Sequence, residues 1–395
     1  MDTYVLLIVS FLLLLSYFFE LTSKSTKIPT VLLLIFLGWG LKQLVVFFNI
    51  QLPAIENLVQ SIGTIGLILI VFEATIDLKF TKNKLPIFFK SILFSLLSIL
   101  LFSFSFALVL INYFPTTFYA AFLNAIPFSV ISSAIAIPSI SNYKHLKEFV
   151  VYDSTFSDIF GILIFNLVLN LEQGNIVENI GFYFLELLLL LIFSLAAIIV
   201  LAIFVRKITH HVKFIPILIF VIFLYQIMKI YHLPGLIFVL IFGLSVANFD
   251  YIIRWKEKYL SKFHVVLEEI PLFKSIVSEF TFLVRSVFFL LLGYSIIIEN
   301  SHLNHLFFII GTMLLLIYLI RFILLKSIRL PASSYLLLAP RGLITIVLFF
   351  SIPASEKISI LNNTVAISII LISTILMSIS FYFIPNSSVR EKNKV

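Results

Sequence analysis

"IPTVLLLIFLG" (Ile28–Gly38) and "LPGLIFVLIFG" (Leu233–Gly243) decide the architecture. Both place a glycine nine residues after a proline, and the second copy lies 205 positions beyond the first. Each sits in an apolar run of the roughly 20 residues that a helix needs to cross a bilayer. Working outward, further runs of that kind fill the chain. They predict about thirteen spans, near 4–20, 28–47, 57–76, 86–111, 117–140, 149–170, 180–205, 214–230, 233–249, 277–298, 305–326, 332–353 and 359–384. The two copies are the second and ninth spans. An odd number of spans separates equivalent positions, so the copies cross in opposite directions. Six spans, a linker span and six inverted spans make an inverted-repeat architecture of the kind found in secondary transporters.

Composition agrees. Of 395 residues, 61% are hydrophobic and 12% charged, against about 25% charged in a soluble domain. Mean hydropathy is +1.17. Continuous apolar runs favour helices over the short alternating segments of a membrane β-barrel. The expected fold is an all-α polytopic membrane protein. The absence of cysteine excludes disulfides and thiol chemistry. The start, "MDTYVLLIVS", has no basic region ahead of its apolar run and reads as a retained span. The net charge of +8 reflects loop charge rather than nucleic-acid binding. Lys42, Lys229 and Lys357 fall on one side, Arg285, Arg321 and Arg341 fall within spans, and the other 21 Lys and Arg fall on the opposite side. Basic loops stay cytoplasmic, which predicts an external N-terminus and a cytoplasmic C-terminus. The stretch 250–276 reads as a cytoplasmic surface helix.

Adding 205 to Ser132–Pro138 lands on 337–343, which holds Pro340, Arg341 and Gly342. Both stretches interrupt apolar spans. Pro138 removes a backbone donor and crowds the preceding turn, freeing carbonyls near Ala134; an ordinary kink is the alternative. Proline, arginine and glycine together in mid-span predict a break. Two broken helices that cross would aim helix ends at one place. Arg341 would then neutralise helix ends or a carboxylate.

"VVYDSTFSDIFGILIFNL" (Val150–Leu167) carries the acids. Residues four apart share a helix face, so Asp153 goes with Ser157 and Ser154 with Asp158. This flank of oxygens suits a hard cation or a proton. Asp153 could instead be a helix N-cap at the interface, and Asp158 could be structural. Charges within the bilayer are costly and normally meet partners. Arg321, in "LIYLIRFILLK", should meet one of Glu73, Asp77, Asp153, Asp158 or Glu186, unless it snorkels to the interface as Arg285 is expected to. His210, His211, His302 and His305 lie in loops and form no metal-ligand set.

These segments resemble the monovalent cation/proton antiporters, which include the sodium/proton exchangers. "VVYDSTFSDIFGIL" is similar to the family's acidic motif, commonly Glu-Ser-x-x-Asn-Asp, with Asp153, Ser154, Ser157 and Asp158 at the motif positions. "ISSAIAIP" resembles the first broken helix, commonly Thr-Asp-Pro, with Ser132, Ser133 and Ala134 at those positions. "APRGLITIVL" resembles the second, at Arg341 and Gly342. "LILIVFEATIDL" and "VFFLLLG" are further family-like segments, and the likeness runs in order along nearly the whole chain. It departs at Ser157, which replaces an amide, at Asp153, which replaces a glutamate, and at Ser133 and Ala134.

The resemblance implies a single transporter domain over 1–395. It has a core bundle near 86–170 and 305–384, a scaffold near 4–76 and 214–298, and a linker near 180–205. It implies that Asp158 binds a monovalent cation or a proton in turn, and that Arg321 pairs with Asp153. Ser132, Ser133, Ser154 and Ser157 complete the expected ion site, with Arg321 and Arg341 in support. One free carboxylate then implies one cation for one proton. Na⁺ is the expected cation, with K⁺ or Li⁺ as alternatives, and no cofactor is expected. A homodimer in a bacterial inner or plasma membrane is implied, as is a part in pH homeostasis. A non-transporting sensor on the same scaffold is the rival from another class. A channel lacks a pore-loop signature, and an enzyme lacks a catalytic set.

Overall fold

The computed structural model describes residues 2–48, 56–76, 78, 85–140, 143–171, 176–207, 214–231, 233, 235–249, 257–296 and 303–383. Every regular element among them is helical. In chain order the longer helices are α1 (Asp2–Thr26), α2 (Thr30–Phe47), α3 (Glu56–Ile76) and α4 (Leu85–Tyr113). The first broken span is α5 (Phe118–Ser129) with α6 (Ser133–Ser139), followed by α7 (Lys144–Asn170). Next come α8 (Ile176–Lys207), α9 (Phe214–Ile230), α10 (Gly235–Ala247), α11 (Glu257–Tyr294) and α12 (Leu303–Ser327). The second broken span is α13 (Ala332–Tyr335) with α14 (Leu343–Phe350), and α15 (Asn363–Phe383) closes the chain. Among the described residues, seven helical segments are long and apolar enough to cross a bilayer on their own, and α9 and α10 are shorter apolar helices.

The chain divides into two compact units. One comprises 1–63, 86–161 and 286–395; the other comprises 64–85 and 162–285. In the first unit most of α5 is enclosed, as are Ser133, Ile135 and Ala136 of α6. Phe128 of α5 and Phe94, Phe102, Phe106 and Phe149 of the same unit are fully buried. In the second unit α10 packs on α8 and α9. There Phe72 is the hub, with ring centroids 5.8 Å from both Phe242 and Phe273. Ser278 donates a hydrogen bond to Glu73 in this unit, and Asn248 Nδ2 donates to the Leu78 carbonyl at 3.0 Å.

The 205-residue offset survives in the packing. A Cβ on Gly38 of α2 would lie 2.0 Å from the Leu290 carbonyl oxygen of α11. A Cβ on its counterpart, Gly243 of α10, would lie 2.0 Å from Thr75 Oγ1 of α3. Each repeated glycine therefore marks a place where two helices touch with no room for a side chain.

Three expectations change. Residues 257–276 do not form a separate surface helix: α11 runs unbroken from Glu257 to Tyr294, with Pro271 inside it. The break in the first broken span comes earlier than Pro138, which lies inside α6. The extended residues are Val130 (ψ 128°) and Ser132 (ψ 112°), on either side of Ile131. The β-branched pair Val130–Ile131 favours extended backbone, and the Ser133 hydroxyl turns to Asp158 rather than to its own helix. Asp77, His210, His211 and His302 lie outside the described residues; His305 is not in a loop but in the first turn of α12, with its side chain outside the described residues.

Candidate functional site

Where the broken helices cross, their backbones bond each other. The Ser132 N–H donates to the Pro340 carbonyl at 2.8 Å. The Ile131 N–H donates to Ser157 Oγ of α7 at 2.9 Å. On the other strand of the crossing, the Arg341 N–H donates to Ser373 Oγ of α15 at 3.0 Å, and the Gly342 N–H to Thr345 Oγ1 at 3.4 Å. Breaking a helix within an apolar bundle orphans backbone groups, each costly if unpaired. Here the Pro340 carbonyl and three hydroxyls satisfy four of the N–H groups. The crossing is close: a Cβ on Gly342 would lie 2.3 Å from Ser132 Oγ and 2.6 Å from Ser132 Cβ. On the α7 side, a Cβ on Gly161 would lie 2.3 Å from Val130 Cγ2.

Asp158 projects from α7 to the start of α6. It is 4% exposed. Ser133 Oγ donates to its Oδ2, and the Ser133 backbone N–H faces the same carboxylate. Its Oδ1 is buried with no hydrogen-bond partner among the described residues. No basic side chain forms an ion pair with it among those residues.

Asp153, nine positions into α7 and 1% exposed, is not an interfacial cap. Its Oδ2 meets Arg321 Nη1 at 2.8 Å. Arg321 is 3% exposed, so it does not snorkel. Its Nε donates to the Tyr335 carbonyl at 3.1 Å and its Nη2 to the Leu338 carbonyl at 3.2 Å. Phe94 lies under the guanidinium at 5.2 Å. One arginine thus neutralises Asp153 and also holds the Tyr335 carbonyl at the end of α13 and the Leu338 carbonyl three residues beyond it. The α12 helix that carries it stops sharply. Arg329 takes a left-handed conformation (φ 59°), the Leu330 N–H reaches back to the Leu325 carbonyl at 3.0 Å, and Pro331 follows.

The remaining expected site residues divide. Ser132, Ser133, Ser157 and Asp158 come together at the crossing. Ser154 does not join them, because its Oγ donates to the Val150 carbonyl of its own helix at 2.8 Å. Ser157, one turn after Asp153 on α7, reaches the site by holding the Ile131 N–H. Arg341 is buried beside Asp153 and Tyr318, yet its Nε and Nη1 have no hydrogen-bond partner among the described residues. The Tyr318 hydroxyl is likewise buried without one. Sequence reading missed Tyr318, Ser373 and Tyr335. Tyr318 was within reach, since it stands three residues before Arg321 on one helix face. Ser373 and Tyr335 had no local signal.

The geometry provides one buried carboxylate held by arginine and a second with an open oxygen. No group of three or more His, Asp or Glu suited to a metal centre occurs among the described residues.

A protein-family model described as "Sodium/hydrogen exchanger, transmembrane" matches residues 8–385. Among solved structures, the sodium proton antiporter MjNhaP1 from Methanocaldococcus jannaschii at pH 8 is similar, with TM-score 0.67 and 19% identity over 96% of each chain. An electron-microscopy structure of the same antiporter gives TM-score 0.65 and 20% identity, covering 95% of this chain and 94% of that one. At that identity the likeness speaks to the fold. No curated protein sequence matches the chain significantly.

Proposed function

Because the chain belongs to the sodium/hydrogen exchanger family of integral membrane transporters, and so to cation/proton antiporters rather than enzymes, we propose that it exchanges Na⁺ for H⁺ one for one, with Asp158 binding each in turn. The observation that carries this reading is the unequal state of the two acids. Asp153 is neutralised by Arg321 at 2.8 Å. Among the described residues, Asp158 keeps an oxygen without a hydrogen-bond partner and has Ser133 as its one side-chain donor. A carboxylate that accepts either a proton or a cation, but not both, couples the two fluxes. With a single such group, each proton released is matched by one monovalent cation bound, and the cycle is electroneutral.

Ser133 and Ser132 supply oxygens at the same place, and Ser157 fixes the backbone beside them. Arg341 is a supporting cation. Asp158 neutralised by its cargo can move through a low-dielectric region that would penalise a bare carboxylate. We assign that movement to the bundle near 86–170 and 305–384, shifting as an elevator against the remainder of a homodimer. The basic-loop bias supports an external N-terminus and a cytoplasmic C-terminus in a bacterial inner membrane, where such exchange would serve pH homeostasis.

Reconstituted vesicles with a trapped pH dye test the cargo. Na⁺, Li⁺ and K⁺ are added in turn against an imposed proton gradient. Na⁺ is expected to collapse the gradient at the lowest concentration. Collapse by K⁺ alone would replace the cargo, and collapse by none would remove the transport reading.

A further inference from the structure

Asn124 stands in the apolar helix α5, "FYAAFLNAIPFS", and is fully enclosed. Its amide is saturated. Nδ2 donates to the Ala120 carbonyl at 2.8 Å and to the Glu356 carbonyl at 2.7 Å. Oδ1 accepts from the Ile358 N–H at 3.4 Å. Two of these three bonds reach the loop 351–362, which joins α14 to α15.

That loop is bound to α14 and shaped by its own turns. The Glu356 N–H bonds the Pro353 carbonyl at 3.0 Å, and the Leu361 N–H bonds the Ile358 carbonyl at 2.9 Å. The Lys357 ammonium lies over Phe349 and Phe350, the last residues of α14, at 5.4 and 5.9 Å. Helix α14 itself packs along α5, with Phe128 and Phe349 rings 5.8 Å apart. Apolar helix faces can slide past each other at little cost. The enclosed Asn124 amide cannot, because a shift of a few ångströms strands its own buried polar atoms and breaks both of its bonds to the half-buried loop backbone.

We infer that Asn124 is a positioning residue: it clasps loop 351–362 to α5, so that the half-helix entering the crossing and the half-helix leaving it move as one body during exchange. This rests on the antiport reading above. Its consequence is that the Ser132–Gly342 contact keeps its geometry through the cycle, and that the contact between α5 and the loop is not a gate.

The absence of cysteine allows a direct test. In Asn124→Cys/Glu356→Cys, the reduced protein lacks the amide clasp and the oxidised protein has a covalent one. Vesicle exchange at low cation is expected to fall about tenfold in the reduced form and to return to near wild-type level on oxidation. Each single cysteine variant should ignore the oxidant. An oxidised form that is silent and recovers on reduction would overturn the inference, since the contact would then have to open. A reduced form as active as wild type would also overturn it; where the thiols do not join, amide hydrogen exchange decides. Amide hydrogen exchange judges the clasp without transport. Asn124→Ala should raise exchange at Glu356–Ile358 and in α5 together, and unchanged protection there would contradict the clasp. Wild-type vesicles that exchange nothing would count against antiport and leave that second readout to decide the clasp.

Discussion

Asp153 and Asp158 stand five residues apart on one helix, and their surroundings give them different work. Arg321 reaches Asp153 at 2.8 Å and spends its other nitrogens on the Tyr335 and Leu338 carbonyls. Removing one member of a buried ion pair strands the other, at a cost of about 3–5 kcal/mol. Arg321→Ala should therefore lower the melting temperature sharply in detergent. Asp153→Asn/Arg321→Gln should recover most of the loss and retain cation-driven proton exchange. A double variant as unstable as the single one would show that the pair is not the main role of Arg321. The sequence allowed this pairing without identifying it: five acids lay within spans, and the family likeness singled out Asp153. Ser154 misled because helix periodicity says which face a residue occupies, not whether its hydroxyl turns back to the carbonyl four residues earlier.

At the scale of elements, the crossing depends on the absence of a side chain at Gly342. With a Cβ there 2.3 Å from Ser132 Oγ, Gly342→Ala forces the strands apart or strains Ser132. Overpacking of this kind costs about 1–3 kcal/mol. Gly342→Ala should lower both thermal stability and exchange rate, and Ser132→Gly added to it should restore part of each. If Ser132→Gly makes no difference, the two breaks do not touch as described. The existence of both breaks was legible from Pro340, Arg341 and Gly342 and from the repeat offset. Their register was less so. Ser132 and Ser133 marked the first break, but Pro138, read with them, falls inside α6; Val130 and Ser132 are the extended residues, and Ser157 and the Pro340 carbonyl fix the stretch. Those partners lie 26 and 208 residues away, and no local pattern announces them.

For the whole molecule, helicity and membrane embedding follow from long apolar runs, and the repeat follows from two glycines that share a close-contact role. The division into compact units does not follow from the sequence. Its boundaries fall at 63/64, 85/86, 161/162 and 285/286, inside α3, α4, α7 and α11, and an apolar helix reads the same on either side of such a boundary. One exchanging carboxylate per chain makes a further prediction: the rate of Na⁺-driven proton movement in vesicles should not change when a valinomycin-clamped potential is imposed. A rate that rises or falls steeply with voltage would mean unequal charges are exchanged. The most direct measurement compares wild-type chain with Asp158→Asn in the same vesicle assay, after both have been shown to be monodisperse and to unfold cooperatively. The account predicts rapid cation-driven proton exchange in the first and background in the second. Exchange at the wild-type rate in folded Asp158→Asn would contradict it.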